Sequence, residues 1–146
     1  MIYPILTPEE AADYIQNGMN IGVSGFTIPG NVKVIPPAIA KKAIREHEAG
    51  REFKVNIYSG ASTNDYTDGE LSRAHALNYR TPYQSLPEVR NRINAGEVHY
   101  NDRHLSELAQ EFRYGYYGKM DVALIEVQSI TDDGDIVLGT AVGNSP

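Results

Sequence analysis

The sequence predicts an α/β domain, a mostly parallel sheet flanked by helices. Three observations predict it. Short apolar strands alternate with helical segments of about ten residues or more, the pattern of βαβ units. Glycine-bearing loops follow two of the strands directly, at Gly25 to Gly30 and at Gly60 to Thr63. Val122, Ala123, Leu124 and Ile125 are consecutive apolar residues, as in a strand buried on both faces at the centre of a parallel sheet.

Each element has a local reason. Thr7 can cap a helix opening at Pro8, with Glu9 and Glu10 where the helix dipole favours acids, and Gly18 can stop it. A strand follows at Ile21 to Ser24. Pro36-Pro37 opens a second helix whose apolar face is Ile35, Ile39, Ala43 and Ile44, ended by Gly50. The second strand is Lys54 to Tyr58. A polar stretch, 64–69, leads to a short helix near Glu70 to Leu77, and Thr81-Pro82 breaks it. Pro87 starts a helix that Gly96 closes, and Val98 to Tyr100 reads as a short strand. Leu105 to Phe112 is an amphipathic helix ended by Gly115, with Asp102 as its expected cap. Asp121 to Val127 is the most apolar strand. Asp132-Asp133-Gly134-Asp135, between Ile130 and Ile136, predicts a hairpin.

The 146 residues fit one domain, 1–146, large enough to bury a core. A net charge of −6 argues against a nucleic-acid partner, which needs a basic stripe. With no cysteine there are no disulfides, thiolate metal sites or cysteine nucleophiles. No apolar run approaches the ~20 residues needed to span a bilayer. Met1 to Glu10 has neither the basic start nor the apolar stretch of a secretory leader, so a cytoplasmic location without membrane attachment is expected. The abrupt end at Gly143-Asn144-Ser145-Pro146, just after an apolar run, suggests one domain of a longer protein.

The two glycine loops are where chemistry is expected, because sites in parallel sheets gather at the carboxyl ends of strands. If their strands are neighbours, the loops share one rim. Amides around Gly25, Phe26, Thr27, Gly30 and Asn31 could face an anion or a polarised carbonyl oxygen. An ordinary strand-to-helix connection is the competing reading, favoured on spacing alone. The glycines at 22, 25 and 30 match neither a P-loop nor the dinucleotide fingerprint. Ser62 and Thr63 could bind a carboxylate or cap the next segment; capping is the simpler role, since neither His nor Lys lies near in sequence. His99 and His104, five apart with Asp102 between them, would need a third ligand and a second shell to hold a metal; a surface loop with a helix cap is the simpler reading, so no metal is expected. Arg90 and Arg92 could hold an anion or belong to a salt-bridged helix face. Ten tyrosines against three phenylalanines and no tryptophan suggest half-wet aromatic positions, with Tyr114, Tyr116 and Tyr117 covering a surface or an interface.

Asn17-Gly18-Met19-Asn20-Ile21-Gly22-Val23-Ser24-Gly25-Phe26-Thr27-Ile28-Pro29-Gly30 resembles the first signature of the class I coenzyme A transferases. That signature has Asp/Asn-Gly, an apolar strand, Gly-Gly-Phe, three residues and Gly-x-Pro. Ser24 stands for the first Gly of the pair and Val32 for the Pro. Ser-Gly-Phe-Thr is similar to the acetyl-CoA hydrolase/transferase branch, which includes succinyl-CoA:acetate CoA-transferases. Gly60-Ala61-Ser62-Thr63, Asp68-Gly69-Glu70-Leu71, Arg80-Thr81-Pro82-Tyr83, 90–97, 100–106, 121–126, 130–134 and Gly143-Asn144-Ser145 resemble that branch in order and spacing.

The resemblance implies a CoA-transferase-like N-terminal domain whose catalytic glutamate lies in a C-terminal domain of the same polypeptide. No segment here matches the motif of that glutamate, and Glu70, Glu97 and Glu126 fall in other segments, so no catalytic residue is assigned in this chain. Gly25, Phe26, Thr27, Gly30, Asn31, Gly60, Ala61, Ser62 and, less directly, Ser85 are the implied substrate-binding residues. Ser62 would form a polar wall of the acyl pocket. The implied substrates are an acyl-CoA, such as succinyl- or acetyl-CoA, and a small carboxylate such as acetate. Coenzyme A enters as substrate, with no permanently bound cofactor. A homodimer is expected, and the domain by itself should be inactive and self-associating. Hydrolysis of the acyl-CoA, or a non-catalytic binding or assembly role for the same fold, are the alternatives.

Overall fold

The computed structural model describes residues 3–61 and 63–143. Helix α1 (Pro8–Asp13) opens on a reciprocal cap: Glu10 N donates to Thr7 Oγ1 at 3.2 Å, and Thr7 N donates to Glu10 Oε2 at 2.8 Å. The chain continues through β1 (Asn20–Val23), α2 (Ile35–Glu48) and β2 (Val55–Ser59). A π-helical turn (Asp65–Gly69) leads into α3 (Glu70–Arg73), β3 (Leu77–Thr81), α4 (Pro87–Asn94) and β4 (His99–Tyr100). Helix α5 (Leu105–Arg113), β5 (Val122–Leu124) and the antiparallel hairpin of β6 (Val127–Ile130) and β7 (Ile136–Leu138) complete it.

The five-stranded sheet has the order β4-β3-β2-β1-β5, and every pairing in it is parallel. From β1 the chain steps outward to β4; α5 then carries it back to β5, on the other side of β1. Right-handed crossovers put helices from opposite stepping directions on opposite faces. The packing follows that rule. Ile21, Val55 and Ile57 bury against Ile39 and Ala43 of α2, Leu71 of α3 and Val89 of α4. On the other face the Tyr58 ring meets Phe112 of α5 edge-on, with centroids 5.0 Å apart.

Polar residues tie the layers together. At the amino ends of the strands, Asn78 Nδ2 donates to Asn56 Oδ1 at 2.7 Å, and Asn56 Nδ2 donates to Asn20 Oδ1 at 2.9 Å. Arg80 and Asp68 are both buried, with Nε to Oδ1 at 2.8 Å and Nη2 to Oδ2 at 3.1 Å, while Nη1 donates to Thr81 O at 2.6 Å. Burial raises the Asp68 carboxyl pKa, and the Arg80 charge opposes it.

Several expectations need correction. The helix expected over Glu70 to Leu77 stops at Arg73, and Leu77–Thr81 is a strand. Leu-Asn-Tyr-Arg-Thr carries little apolar pattern, because its buried Arg80 is neutralised by Asp68 from a distant turn. Strand β5 is the sheet edge rather than its centre: Val122 and Leu124 are half-buried and Ala123 is exposed. Its apolar run reflects surface on both faces, but only one face is covered here. Asp102 does not cap α5; His104 is the capping position, without a side-chain bond. The hairpin sits where its Asp-rich turn places it, with Gly134 N bonded to Thr131 O at 3.0 Å.

Candidate functional site at the carboxyl rim of the sheet

Residues 24–31 leave β1 and residues 60–61 leave β2. Val23 pairs with Ser59, so the loops start side by side. Thr27 N donates to Ala61 O at 2.8 Å and joins them into one rim. The first loop is built on unusual backbone. Gly25 has φ +117° and Gly30 φ +71°, both in the region that favours glycine. Thr27, at φ 54°, adopts the same region with a side chain, a cost that neighbouring contacts must hold in place.

Those contacts are specific. Asn31 is fully buried and its Nδ2 donates to Thr27 O. A Cβ on Gly25 would collide with Asn31 Oδ1. Ser24 Oγ donates to Gly30 O at 2.7 Å and accepts from Glu126 N at 2.9 Å, while Ser24 N donates to Leu124 O at 3.0 Å. Lys33 Nζ reaches Asn31 O at 3.1 Å and Glu126 Oε2 at 2.5 Å. Segment 139–143 lies directly on the loop: a Cβ on Gly30 would strike Ala141 O, and one on Gly143 would strike Gly25 O.

This geometry divides the expected substrate-binding residues. Gly25, Gly30, Asn31 and Gly60 are buried and shape the rim from within. Phe26 and Thr27 stand exposed on its crest, Phe26 with 49% of its surface open, and Ala61 is half-buried beside them. Ser85 is exposed in the loop after β3, where its carbonyl accepts from Arg90 Nη2 at 3.3 Å. Ser62 lies outside the described residues. The two positions that depart from the class I signature have clear structural roles: Ser24 is the tie just described, and Val32 belongs to the hydrophobic core.

Sequence reading missed Lys33, Glu126, Ala141 and Gly143 as parts of the loop support. Glu126, Ala141 and Gly143 are far from the loop along the chain, which hid them; Glu126 and Gly143 stood in segments already noted, but not beside the loop. Arg92 bonds Ser72 Oγ at 3.1 Å and Glu97 Oε2 at 2.6 Å, which is the salt-bridged role. Glu70 pairs with Arg73, Glu97 with Arg92 and Glu126 with Lys33. Among the described residues, no group of three His, Asp or Glu side chains could hold a metal ion.

The order of strands reverses at β1 and β5, the position where open α/β sheets form ligand crevices. A cleft of about 260 Å³ opens there, on the α5 face, lined by Gly22, Tyr58, Phe112, Met120, Ala123 and Ile125. Burial pushes the Tyr58 phenol up to about 12, with nearby Tyr79 adding to the shift. Its hydroxyl donates to Asn20 Oδ1 at 3.2 Å.

A parallel sheet with two joined glycine loops on its carboxyl rim is an α/β framework of the kind that places ligands at its strand ends. Residues 3–146 match the pattern of the acetyl-CoA hydrolase/transferase N-terminal domain, and the chain belongs to that family. It is 43% identical, over 97% of its length, to a succinyl-CoA:acetate CoA-transferase of Clostridium kluyveri. It is 41% identical, over the same share, to a propanoyl-CoA:succinate CoA transferase of Escherichia coli K12. An acetyl-CoA hydrolase of Schizosaccharomyces pombe is 34% identical over 97% of the chain. The chain spans 26%, 29% and 28% of those relatives. RipA from Yersinia pestis shares the fold, with a TM-score of 0.70 over 96% of this chain and 33% of that one, at 19% identity.

Proposed function

We propose that this chain is the N-terminal part of an enzyme that moves coenzyme A between an acyl-CoA, such as succinyl- or acetyl-CoA, and a small carboxylate such as acetate. The observation that carries the reading is the shared rim, Thr27 N on Ala61 O, in a chain of this family. The reaction takes a glutamate supplied by a C-terminal domain of the same polypeptide. Its carboxylate adds to the thioester carbonyl, the CoA thiolate leaves, and an acyl-glutamyl anhydride forms. The thiolate then attacks the glutamyl carbonyl, which releases the first acid and leaves a glutamyl-CoA thioester. The acceptor acid reverses both steps and departs as its CoA ester. The rim's part is to hold the acyl group and carboxylate with fixed dipoles that need no rearrangement during the reaction. On this reading Phe26, Thr27 and Ala61 meet the acyl group from the crest of the rim, with Ser62 as its polar wall and Ser85 a further contact, while Gly25, Gly30, Asn31 and Gly60 fix the rim's shape.

Isotopically labelled acetate, added with succinyl-CoA to the polypeptide translated from the complete reading frame, should appear in acetyl-CoA. The 146-residue chain should catalyse no exchange. Hydrolysis is the second reading, favoured by the relatives named acetyl-CoA hydrolase. Release of free thiol without any acceptor acid would establish it. Ser62→Ala in the long polypeptide should lower kcat about tenfold, the loss of one hydrogen bond made to a charged group. The enzyme is expected to be a cytoplasmic homodimer; no helix among the described residues is long and apolar enough to cross a membrane.

A further inference from the structure

Among the described residues, two that are not glycine have positive φ: Thr27 at 54° and His75 at 53°. His75 has a local reason. It stops α3, with His75 N donating to Ser72 O at 3.1 Å and Ala76 N to Leu71 O at 2.9 Å, and its ring nitrogen Nδ1 lies 2.8 Å from Arg92 Nη1. Thr27 ends no helix, and its strain is the greater, because a branched Cβ is poorly tolerated in the left-handed region. Its backbone is committed to the rim: the amide donates to Ala61 O and the carbonyl accepts from Asn31 Nδ2. Glycine would allow both bonds with less strain, and the same loop uses glycine at 25 and 30. The Thr27 side chain stands exposed, so no core packing offsets the strain, and its hydroxyl has no hydrogen bond among the described residues. Other donors of the loop are already engaged. The Phe26 amide donates to Pro29 O at 3.1 Å, and the Lys33 ammonium is held by Asn31 O and Glu126. Phe26 and Ile28, the sequence neighbours of Thr27, are 49% and 70% exposed.

We propose that the Thr27 hydroxyl is a substrate-binding group. It donates a hydrogen bond to a carboxylate oxygen of the small acid, while the acid's aliphatic part rests on Phe26 and Ile28. The inference rests on the reading above, in which the complete enzyme brings the acid to this rim. Backbone strain at an exposed site, where glycine would relieve it, signals a side chain used outside the fold. A hydroxyl is the fitting donor here, since the amides of Phe26 and Thr27 already serve the loop. Threonine suits the task better than serine. Its branched Cβ restricts χ1, so the hydroxyl has little rotational freedom to lose when the acid binds. An apolar crest with a single well-placed donor is also the usual composition of a site for a small organic ligand.

Three variants of the polypeptide from the complete reading frame test this, with acetate as the probe. Thr27→Val keeps the branch and removes the hydroxyl. It should weaken acetate binding, read by saturation-transfer NMR titration, about tenfold or more, and raise KM for acetate by a similar factor while kcat changes less than about twofold. Thr27→Ser keeps the hydroxyl and should stay within about threefold of wild type in both measurements. Thr27→Gly should bind acetate as weakly as Thr27→Val, yet unfold in urea at or above the wild-type midpoint, because the strain is relieved. A purely structural Thr27 would give the opposite pair of results. Unchanged acetate affinity in Thr27→Val overturns the proposal, and so does a Thr27→Gly midpoint clearly below wild type. A wild type that binds no acetate overturns it as well. CoA exchange that runs equally well in wild type and Thr27→Val defeats the role of the hydroxyl alone. Acetate binding that depends on Thr27, without any CoA exchange, defeats the enzymatic reading alone.

Discussion

Gly25 shows how much a single rim position carries. Its φ of +117° and the Asn31 carboxamide beside it leave no room for a methyl group. Gly25→Ala should destabilise the domain by more than about 1 kcal/mol, because strain and collision add. Urea unfolding checks the stability, and loss of the Thr27–Ala61 bond should show as faster exchange of the Thr27 amide. Arg80 is the corresponding residue under the sheet. Arg80→Met strands a buried Asp68 carboxylate and should cost about 3–5 kcal/mol in urea unfolding. Adding Asp68→Leu should recover much of that loss, since a pair of apolar side chains leaves no buried charge. Tyr58 gives a test at alkaline pH. Its folded pKa is about 12 against an ordinary 10.0. The neutral phenol's contribution is therefore fully present below pH 10 and is lost as pH rises toward 12. Tyr58→Phe should lose less stability than wild type over that range, read from unfolding midpoints.

At the scale of elements, α1 depends on its cap. Hydrogen bonds from the Thr7 backbone and side chain hold the Glu10 carboxyl below its ordinary 4.5. A lowered carboxyl contributes stability above its unfolded pKa and loses it as pH falls through the folded value. Thr7→Ala should cost about 1 kcal/mol near neutral pH, and the difference from wild type should narrow on acidification, measured by thermal unfolding. The helices after Pro8, Pro36-Pro37 and Pro87 were legible because proline, the caps and the 3.6-residue apolar repeat are local signals. Strand β3 was not legible. Its buried Arg80 looks like a surface residue until the turn at 65–69 delivers Asp68 to it. The short extent of α3 has the same origin, since Leu77 is taken by the sheet.

For the whole molecule, the central fact is asymmetry: one layer is complete and the other half-built. The apolar hairpin residues Ile136 and Val137 are exposed at 52% and 40%, in addition to the open cleft. Surface of that kind favours association. The 146-residue chain should therefore sediment with a concentration-dependent mass, and the long polypeptide should lose that component. Raised salt should leave the effect intact, because apolar contact rather than charge drives it.

The α/β class, most helix starts, both glycine loops, the hairpin turn and the family are legible in the amino-acid order, because each is written in local spacing or in ordered segments. It also pointed to the ends of two strands as the place where chemistry is expected. That those strands are neighbours, that Asn31, Ser24 and residues 139–143 brace the rim, and that β5 stands at an edge follow from the packed fold alone. These are meetings between residues up to about a hundred positions apart, such as Ser24 and Glu126. Chain order carries no distance information at that range; strand order and the hand of the crossovers supply it.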